Sequence, residues 1–203
     1  MDLKTNLHKS PAFSEAYLIR TLIEIKKNPL IGRKTLSSKI GICEGSMRSL
    51  LNHLKDNGML TATKKGQSIT SAGNEITTQF LKFCSFPFKI YLPDMTLDNC
   101  MGIILRNVSE KIKSGIVERD IAIREGCNGA FILLWTNDEF KFPFINTSIL
   151  DFSVSLEFLN NMARRENLKE NDVVVICFAE DYIKAENGII KISLNIQNFK
   201  LEI

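Results

Sequence analysis

Histidine is scarce in this chain of 203 residues, which contains two, His8 and His53. Five cysteines are present, but they lie far apart, and no pair has the spacing of metal ligands. We therefore expect neither a metal site nor a cofactor. A Ser-His-Asp or Cys-His enzyme would need one of the two histidines, so little in the chain supports that class of enzyme.

Long apolar stretches are missing too. The longest, residues 130–135 and 173–179, are far too short to span a bilayer. The first six residues contain no apolar run typical of a signal peptide. Dispersed cysteines, odd in number, are typical of reduced and mostly buried thiols. These absences predict a cytoplasmic protein with no membrane partner.

The net charge of +3 conceals an uneven distribution. Residues 1–83 carry thirteen Lys or Arg against six Asp or Glu, whereas residues 84–203 carry thirteen against seventeen. The first part is therefore at +7 and the second at −4. This asymmetry predicts two domains, 1–84 and 85–203, of which the first faces a polyanion.

Apolar spacing in the first part predicts three helices and a hairpin. Helices are expected over residues 13–27, 32–40 and 44–57, because apolar residues recur there at helical intervals. Strands are expected over 60–63 and 67–70, joined by a turn at Lys64-Lys65-Gly66, and a fourth helix follows Gly73. This order is that of a winged helix-turn-helix.

Specific residues strengthen this interpretation. Residues 30–51 resemble the helix-turn-helix of bacterial and archaeal winged-helix regulators, and residues 69–73 resemble the segment that leaves their wing. Residues 118–120, 129–130 and 179–181 resemble the second domain of an archaeal family that joins a winged helix to a C-terminal domain of unknown function. The resemblance implies a DNA-binding regulator.

The predicted third helix has two distinct faces. Met47, Leu50, Leu51 and Leu54 form an apolar stripe that would pack on the domain. The opposite face carries polar side chains suited to base edges in the major groove. The predicted base-recognition residues are Glu44, Gly45, Ser46, Arg48, Ser49 and Asn52. The predicted phosphate and wing contacts are Arg33, Lys34, Thr35, Lys39, Lys55, Lys64 and Lys65.

Two residues on this face have an alternative interpretation. Glu44 would either accept a hydrogen bond from cytosine or simply favour the positive end of the helix dipole. His53 is a surface or phosphate contact rather than a catalyst. The alternative interpretation of the whole face is the solvated side of a small helical domain.

The second part predicts a mixed α/β domain. Strands are expected over 101–106, 130–135, 140–142 and 173–178, with helices over 108–125 and 152–165 and a break near Ser114-Gly115. This order is the ferredoxin-like βαββαβ pattern, so the predicted fold class is α+β. Residues 182–196 fit both a hairpin, through Asn187-Gly188, and a helix. The family resemblance favours the helix.

These observations predict a transcriptional regulator. Its expected partners are double-stranded DNA, a small-molecule effector and a second copy of the chain. The candidate effector-binding residues are Glu118, Arg119, Glu180 and Asp181. Neighbours on a helix cannot all face one ligand, however, and Glu180-Asp181 is well placed to cap the last helix. The alternatives are a winged helix that binds protein or RNA and, less favoured, a small-molecule enzyme in the second domain.

Overall fold

The structure is a computed structural model that describes residues 13–143 and 153–199, so His8 lies outside the described residues. The chain divides into two compact units, Met1–Gly73 and Asn74–Ile203. The predicted functional boundary between residues 84 and 85 stays a prediction. The α+β fold class is confirmed by the elements of both units.

Three helices form the first unit: α1 (Glu15–Lys27), α2 (Arg33–Ile40) and α3 (Glu44–Asp56). Ser14 caps α1, because its hydroxyl accepts a hydrogen bond from the Ala16 amide. Gly41 ends α2 with a φ of +79°, a conformation that glycine adopts without a steric penalty. The predicted helices are confirmed to within two residues at each end.

The predicted wing is an antiparallel hairpin of β1 (Leu60–Thr63) and β2 (Gly66–Ile69). Thr63 pairs with Gly66, which places Lys64 and Lys65 at the tip. A side chain at Gly66 would collide with the carbonyl of Leu30. Glycine is therefore required where β2 passes the loop that joins α1 to α2. Helix α4 (Ser71–Leu81) follows the wing, and the division between the units falls in its first turn.

The second unit is a five-stranded antiparallel sheet with helices on both faces. The strands are β3 (Phe88–Lys89), β4 (Met101–Leu105), β5 (Gly129–Thr136), β6 (Glu139–Lys141) and β7 (Val173–Phe178). The helices are α5 (Ile116–Arg124), α6 (Ser153–Arg165) and α7 (Tyr182–Gln197). The sheet order is β3-β4-β7-β5-β6, so β7 separates the parallel strands β4 and β5.

Side-chain alternation along β7 gives the sheet two apolar faces. Val174 and Ile176 join a buried cluster with Trp135, Leu159 and Met162, which brings α6 onto one face. Helix α7 packs against β4, β7 and α5 on the other face. The predicted strand–helix–strand–strand–helix–strand order along the chain is confirmed, with β3 and α7 added to it. The predicted ferredoxin-like arrangement is wrong, because that fold places its first and third strands side by side, whereas β7 and β5 separate β4 from β6 here.

Two predicted segments take a more specific form. Residues 108–125 consist of a short 3-10 turn at Ser109–Lys111 followed by α5, and the predicted break near Ser114-Gly115 is confirmed by Gly115, whose φ is +74°. Residues 182–196 are helical, as the family resemblance implied, and Asn187-Gly188 lies within α7. The hairpin alternative is wrong.

Candidate nucleic-acid interface

The helix-turn-helix is held together by a buried arginine. Arg20 of α1 is 2% exposed, and its guanidinium donates to the carbonyl oxygens of Lys39 and Ile40 at 3.3 and 3.1 Å. These carbonyls end α2, where no helical partner is available to them. The Ser37 hydroxyl donates to the Ile42 carbonyl at 2.8 Å and fixes the turn before α3. The position of α3 is therefore set by polar contacts as well as by packing.

Helix α3 buries one face and exposes the other. Met47, Leu50, Leu51 and Leu54 are each at most 2% exposed, as predicted. Glu44, Gly45, Arg48, Ser49 and Asn52 are exposed, and Ser46 is half-buried. A Cβ added at Gly45 would meet nothing within 4 Å, so this end of the helix is open to an approaching surface. The structure thus brings all six predicted base-recognition residues to one accessible face.

The predicted phosphate contacts fall into two groups. Arg33 pairs with Glu44 at 3.4 Å, and Lys39 pairs with Glu24 at 2.5 Å. Among the described residues, by contrast, no ion pair involves the cations Lys34, Arg48, Lys55, Lys64 and Lys65. Thr35 is exposed beside Lys34. The second group therefore keeps its positive charge available for a polyanion.

The wing tip is preorganised by its own hydroxyl. The Thr63 hydroxyl accepts a hydrogen bond from the Lys65 amide at 3.1 Å, and both lysines are exposed. The Thr70 hydroxyl donates to the Gly58 carbonyl at 2.7 Å and secures the base of the hairpin to the end of α3. Hydrogen bonds therefore order the tip of the wing and connect the base of the wing to the end of α3.

Sequence reasoning missed Cys43, the residue that precedes α3. Its thiol is exposed and lies 3.2 Å from the Ser46 hydroxyl. The hydrogen bonds from Ser46, side chain and then backbone, lower the pKa of Cys43 below its ordinary value. The signal was its place directly before α3, at the positive end of the helix dipole, where a thiolate is favoured.

The candidate effector residues on α5 serve different purposes. Glu118 is 1% exposed, and its carboxylate accepts from the amides of Lys113 and Gly115 at 3.0 and 2.8 Å. These hydrogen bonds close the loop before α5, and the buried carboxylate is not accessible to a ligand. Arg119 is exposed and pairs with its neighbour Asp120 at 2.9 Å. Glu118 and Arg119 thus point in different directions.

The candidate residues before α7 also form local contacts. Asp181 caps the helix by accepting from the Lys184 amide at 2.8 Å, which confirms the capping alternative. Glu180 pairs with the Lys184 ammonium at 2.7 Å, and this ion pair raises the pKa of Lys184. Within the described ranges, no hydrogen bond joins Glu118 or Arg119 to Glu180 or Asp181. The four residues therefore take part in two separate local arrangements, one before α5 and one before α7.

A pocket of about 500 Å³ lies elsewhere in the second unit. It is lined by Arg106, Asn107, Glu166, Asn167, Lys169, Glu170 and Asp172. Asp172 is buried and accepts from Arg106 at 2.7 Å and from the amides of Asn107 and Lys169. These contacts join the end of β4 to the start of β7, so the carboxylate first of all stabilises the wall of the pocket.

Two family models match the chain. The CggR N-terminal DNA binding domain matches residues 15–84, and a domain of unknown function, DUF4443, matches residues 97–196. The predicted resemblance to a DNA-binding domain joined to a C-terminal domain of unknown function is confirmed. A search of curated proteins gives no match.

A hypothetical protein from Pyrococcus horikoshii OT3 is similar in structure. It is 23% identical, with a TM-score of 0.73 over 92% of this chain and 94% of that chain. At this identity the likeness shows the fold alone. No helix in the described ranges combines the length and hydropathy needed to cross a bilayer.

Proposed function

We propose that the protein is a transcriptional regulator whose α3 enters the major groove of duplex DNA. The observation that carries the proposal is the set of accessible cations on α3 and the wing tip, Arg48, Lys64 and Lys65, which form no ion pair with another described residue. The match of this region to a DNA-binding domain family supports the same conclusion. The role of each residue is proposed from its chemistry and position.

Arg48 and Asn52 are proposed to recognise bases. They are one turn apart on the exposed face of α3, so both side chains extend in the same direction. A guanidinium forks to the acceptors of guanine, and a carboxamide pairs with adenine. Gly45 and the small Ser46 and Ser49 leave room for the helix to approach the bases.

The wing lysines and Lys34 are proposed to contact phosphates, together with Lys55. Each phosphate neutralised releases counterions, which makes the affinity fall with salt. Arg33 and Lys39 are partly neutralised by Glu44 and Glu24. They therefore position α2 and α3, and their direct contribution to the salt dependence is smaller than that of the wing. Glu44, held by Arg33, is the proposed acceptor for a cytosine amino group.

The second unit is proposed to regulate DNA binding through a small effector or through dimerisation rather than to catalyse a reaction. The pocket beside Arg106 supports the effector role, because its volume lies in the range of small-ligand sites and both signs of charge line it. An enzyme would need free acid–base groups, and Glu118 and Asp181 are occupied by backbone amides.

Fluorescence anisotropy with mixed-sequence duplex DNA, measured across a salt series, tests the proposal. We expect binding that weakens steeply with salt, and a loss of about 1.8 from the slope of log K against log salt when Lys64→Ala and Lys65→Ala are combined, about 0.9 per phosphate. The matched control combines Lys111→Ala and Lys113→Ala, two exposed lysines of the second unit. It should leave the slope unchanged.

Two outcomes would contradict the proposal. Absence of binding at low salt would exclude DNA as the ligand of this face and favour a winged helix that binds protein. Equal effects of the wing pair and the control pair would show general electrostatic attraction with no role for the wing.

A further inference from the structure

Helix α5 carries its larger apolar side chains on the outside. Its buried positions hold a carboxylate and a methyl group, Glu118 and Ala122. Ile116, Val117 and Ile123 are 57%, 39% and 46% exposed. A helix at the surface of a monomer normally has the opposite distribution, with aliphatic side chains inside and charges outside. Three of the four larger aliphatic side chains of α5 therefore lie on its accessible side.

Helix α6 of the same unit buries large apolar side chains, as a surface helix normally does. Helix α6 buries Leu159, Met162 and Ala163, and its outer side includes the polar residues Glu157, Asn161 and Arg164. Its exposed apolar residues Val154 and Phe158 thus lie on a mostly polar face. Helix α5 therefore differs from α6 in what it buries, a carboxylate and a methyl group in place of a set of large apolar side chains.

Four residues form one stripe along the outer face of α5. Ile116, Arg119, Asp120 and Ile123 stand at i, i+3, i+4 and i+7, which places them on one side of the helix. The stripe has apolar ends and a charged centre of both signs. Arg119 and Asp120 are each half-exposed, so a partner can reach both.

We propose that this stripe is where two copies of the chain meet, with their α5 helices antiparallel about a two-fold axis. The axis would pass between positions 119 and 120. Ile116 of one copy then faces the partner's Ile123, and Arg119 faces the partner's Asp120. The stripe is thus complementary to itself, as an isologous interface requires. The inference deepens the proposed function, on which it rests for the expectation that two copies of α3 bind two half-sites.

The size of the stripe predicts a reversible dimer. A helix of nine residues is about 13 Å long, so α5 forms the centre of a contact near the lower end of specific interfaces. The local pair between Arg119 and Asp120, 2.9 Å apart, has to open or be shared when the copies associate. We therefore expect a monomer–dimer equilibrium at micromolar concentration.

Sedimentation equilibrium of the full chain without DNA is the first test. Combining Ile116→Gln with Ile123→Gln should abolish the dimer. Because both side chains are exposed, urea unfolding measured at a concentration at which the wild type is monomeric should be unchanged. The matched control combines Val154→Gln with Phe158→Gln, two exposed apolar residues of α6, and should leave the dimer intact. A wild-type monomer from low to high micromolar concentration overturns the proposal, as does a dimer that only the α6 pair disrupts.

Charge exchange tests the register of the two helices. Arg119→Glu alone and Asp120→Lys alone each place like charges opposite one another, so each variant should lose the dimer. An equimolar mixture of the two should form a heterodimer, because every acidic group then faces a lysine or arginine of the other variant. Failure of the mixture to associate would contradict the antiparallel register.

DNA binding separates this inference from the proposed function. The Ile116→Gln and Ile123→Gln variant should retain salt-dependent binding to short non-specific duplex, since the first unit is unchanged. Its affinity for an operator with two half-sites, once selected, should fall. A dimer that binds no DNA would support the α5 interface and overturn only the proposed function.

Discussion

Arg20 and Ile40 are joined by a buried hydrogen bond of 3.1 Å from the guanidinium to the last carbonyl of α2. Because the same side chain also reaches Lys39, one residue of α1 caps the helix that precedes α3. The angle between the helices of the helix-turn-helix therefore depends on a polar contact inside the first unit.

Replacing this arginine should destabilise the first unit. Arg20→Met keeps most of the apolar stem but removes the donor from the buried carbonyl of Ile40 and from the partly buried carbonyl of Lys39, at a cost of about 2 kcal/mol. Urea unfolding of the full chain, followed by circular dichroism, measures the change. Lys34→Met removes an exposed cation from α2 and should shift the midpoint little. Equal shifts would show that the hydrogen bonds of Arg20 add nothing.

Much of the first unit can be predicted from sequence because each local signal agrees with the tertiary structure. The stripe of Met47, Leu50 and Leu54 faces the core, and the Lys64-Lys65-Gly66 turn sets the wing register. The cap formed by Arg20 could not be predicted, because its partners are backbone atoms about twenty residues away. Side-chain spacing carries no information about such a contact.

Arg48 gives a prediction about specificity. Arg48→Ala should reduce discrimination at one or two base positions by about 1–3 kcal/mol, roughly 5- to 150-fold, since a bidentate contact to guanine is lost. Affinity for non-specific duplex should fall much less. The measurement is a selection of randomised duplexes by wild type and variant, followed by competition binding. An unchanged base preference would mean that Arg48 contacts only the phosphates.

Cys43 should be the reactive thiol of the chain. Its lowered pKa leaves more thiolate at neutral pH than an ordinary exposed cysteine has, whereas burial raises the pKa of Cys84 to about 12. Iodoacetamide at neutral pH should label Cys43 first, as peptide mass spectrometry will show. Ser46→Ala should raise the pKa of Cys43 and move its rate–pH curve to higher pH. Labelling should also weaken DNA binding, because the adduct lies at the start of α3.

Cys43→Ser is the control for that experiment. The hydroxyl retains the N-cap position but cannot be alkylated at neutral pH. This variant should bind DNA before and after the reagent with the same affinity. If the reagent still weakened its binding, another thiol would be responsible.

The second unit is harder to predict, and α7 shows why. Ile190, Ile192, Leu194 and Ile196 alternate with intervening residues as strand residues do, yet all four are buried in a helix. A helix covered by β4, β7 and α5 loses the one-sided pattern that identifies helices. The role of Glu118 could not be predicted for a related reason, because its buried carboxylate accepts hydrogen bonds from backbone amides that no sequence motif records. Effector binding by the four candidate residues stays a prediction.

Substitution by alanine should change the free energy of unfolding in opposite directions at two glycines that lie within helices. A Cβ at Gly188 of α7 would lie 2.4 Å from the Cys127 sulfur and 3.1 Å from the Cys177 sulfur, so Gly188→Ala forces these packed elements apart. We expect a loss of about 1–3 kcal/mol from overpacking, which exceeds the gain of about 1 kcal/mol in helix propensity. A Cβ at Gly45 meets nothing within 4 Å, so Gly45→Ala should stabilise α3 by up to about 1 kcal/mol. Urea unfolding of both variants measures these changes.

If α3 enters the major groove, the stabilised Gly45→Ala protein should nevertheless bind DNA more weakly, because the added methyl group stands between helix and bases. A variant gaining both stability and affinity would place Gly45 away from the duplex.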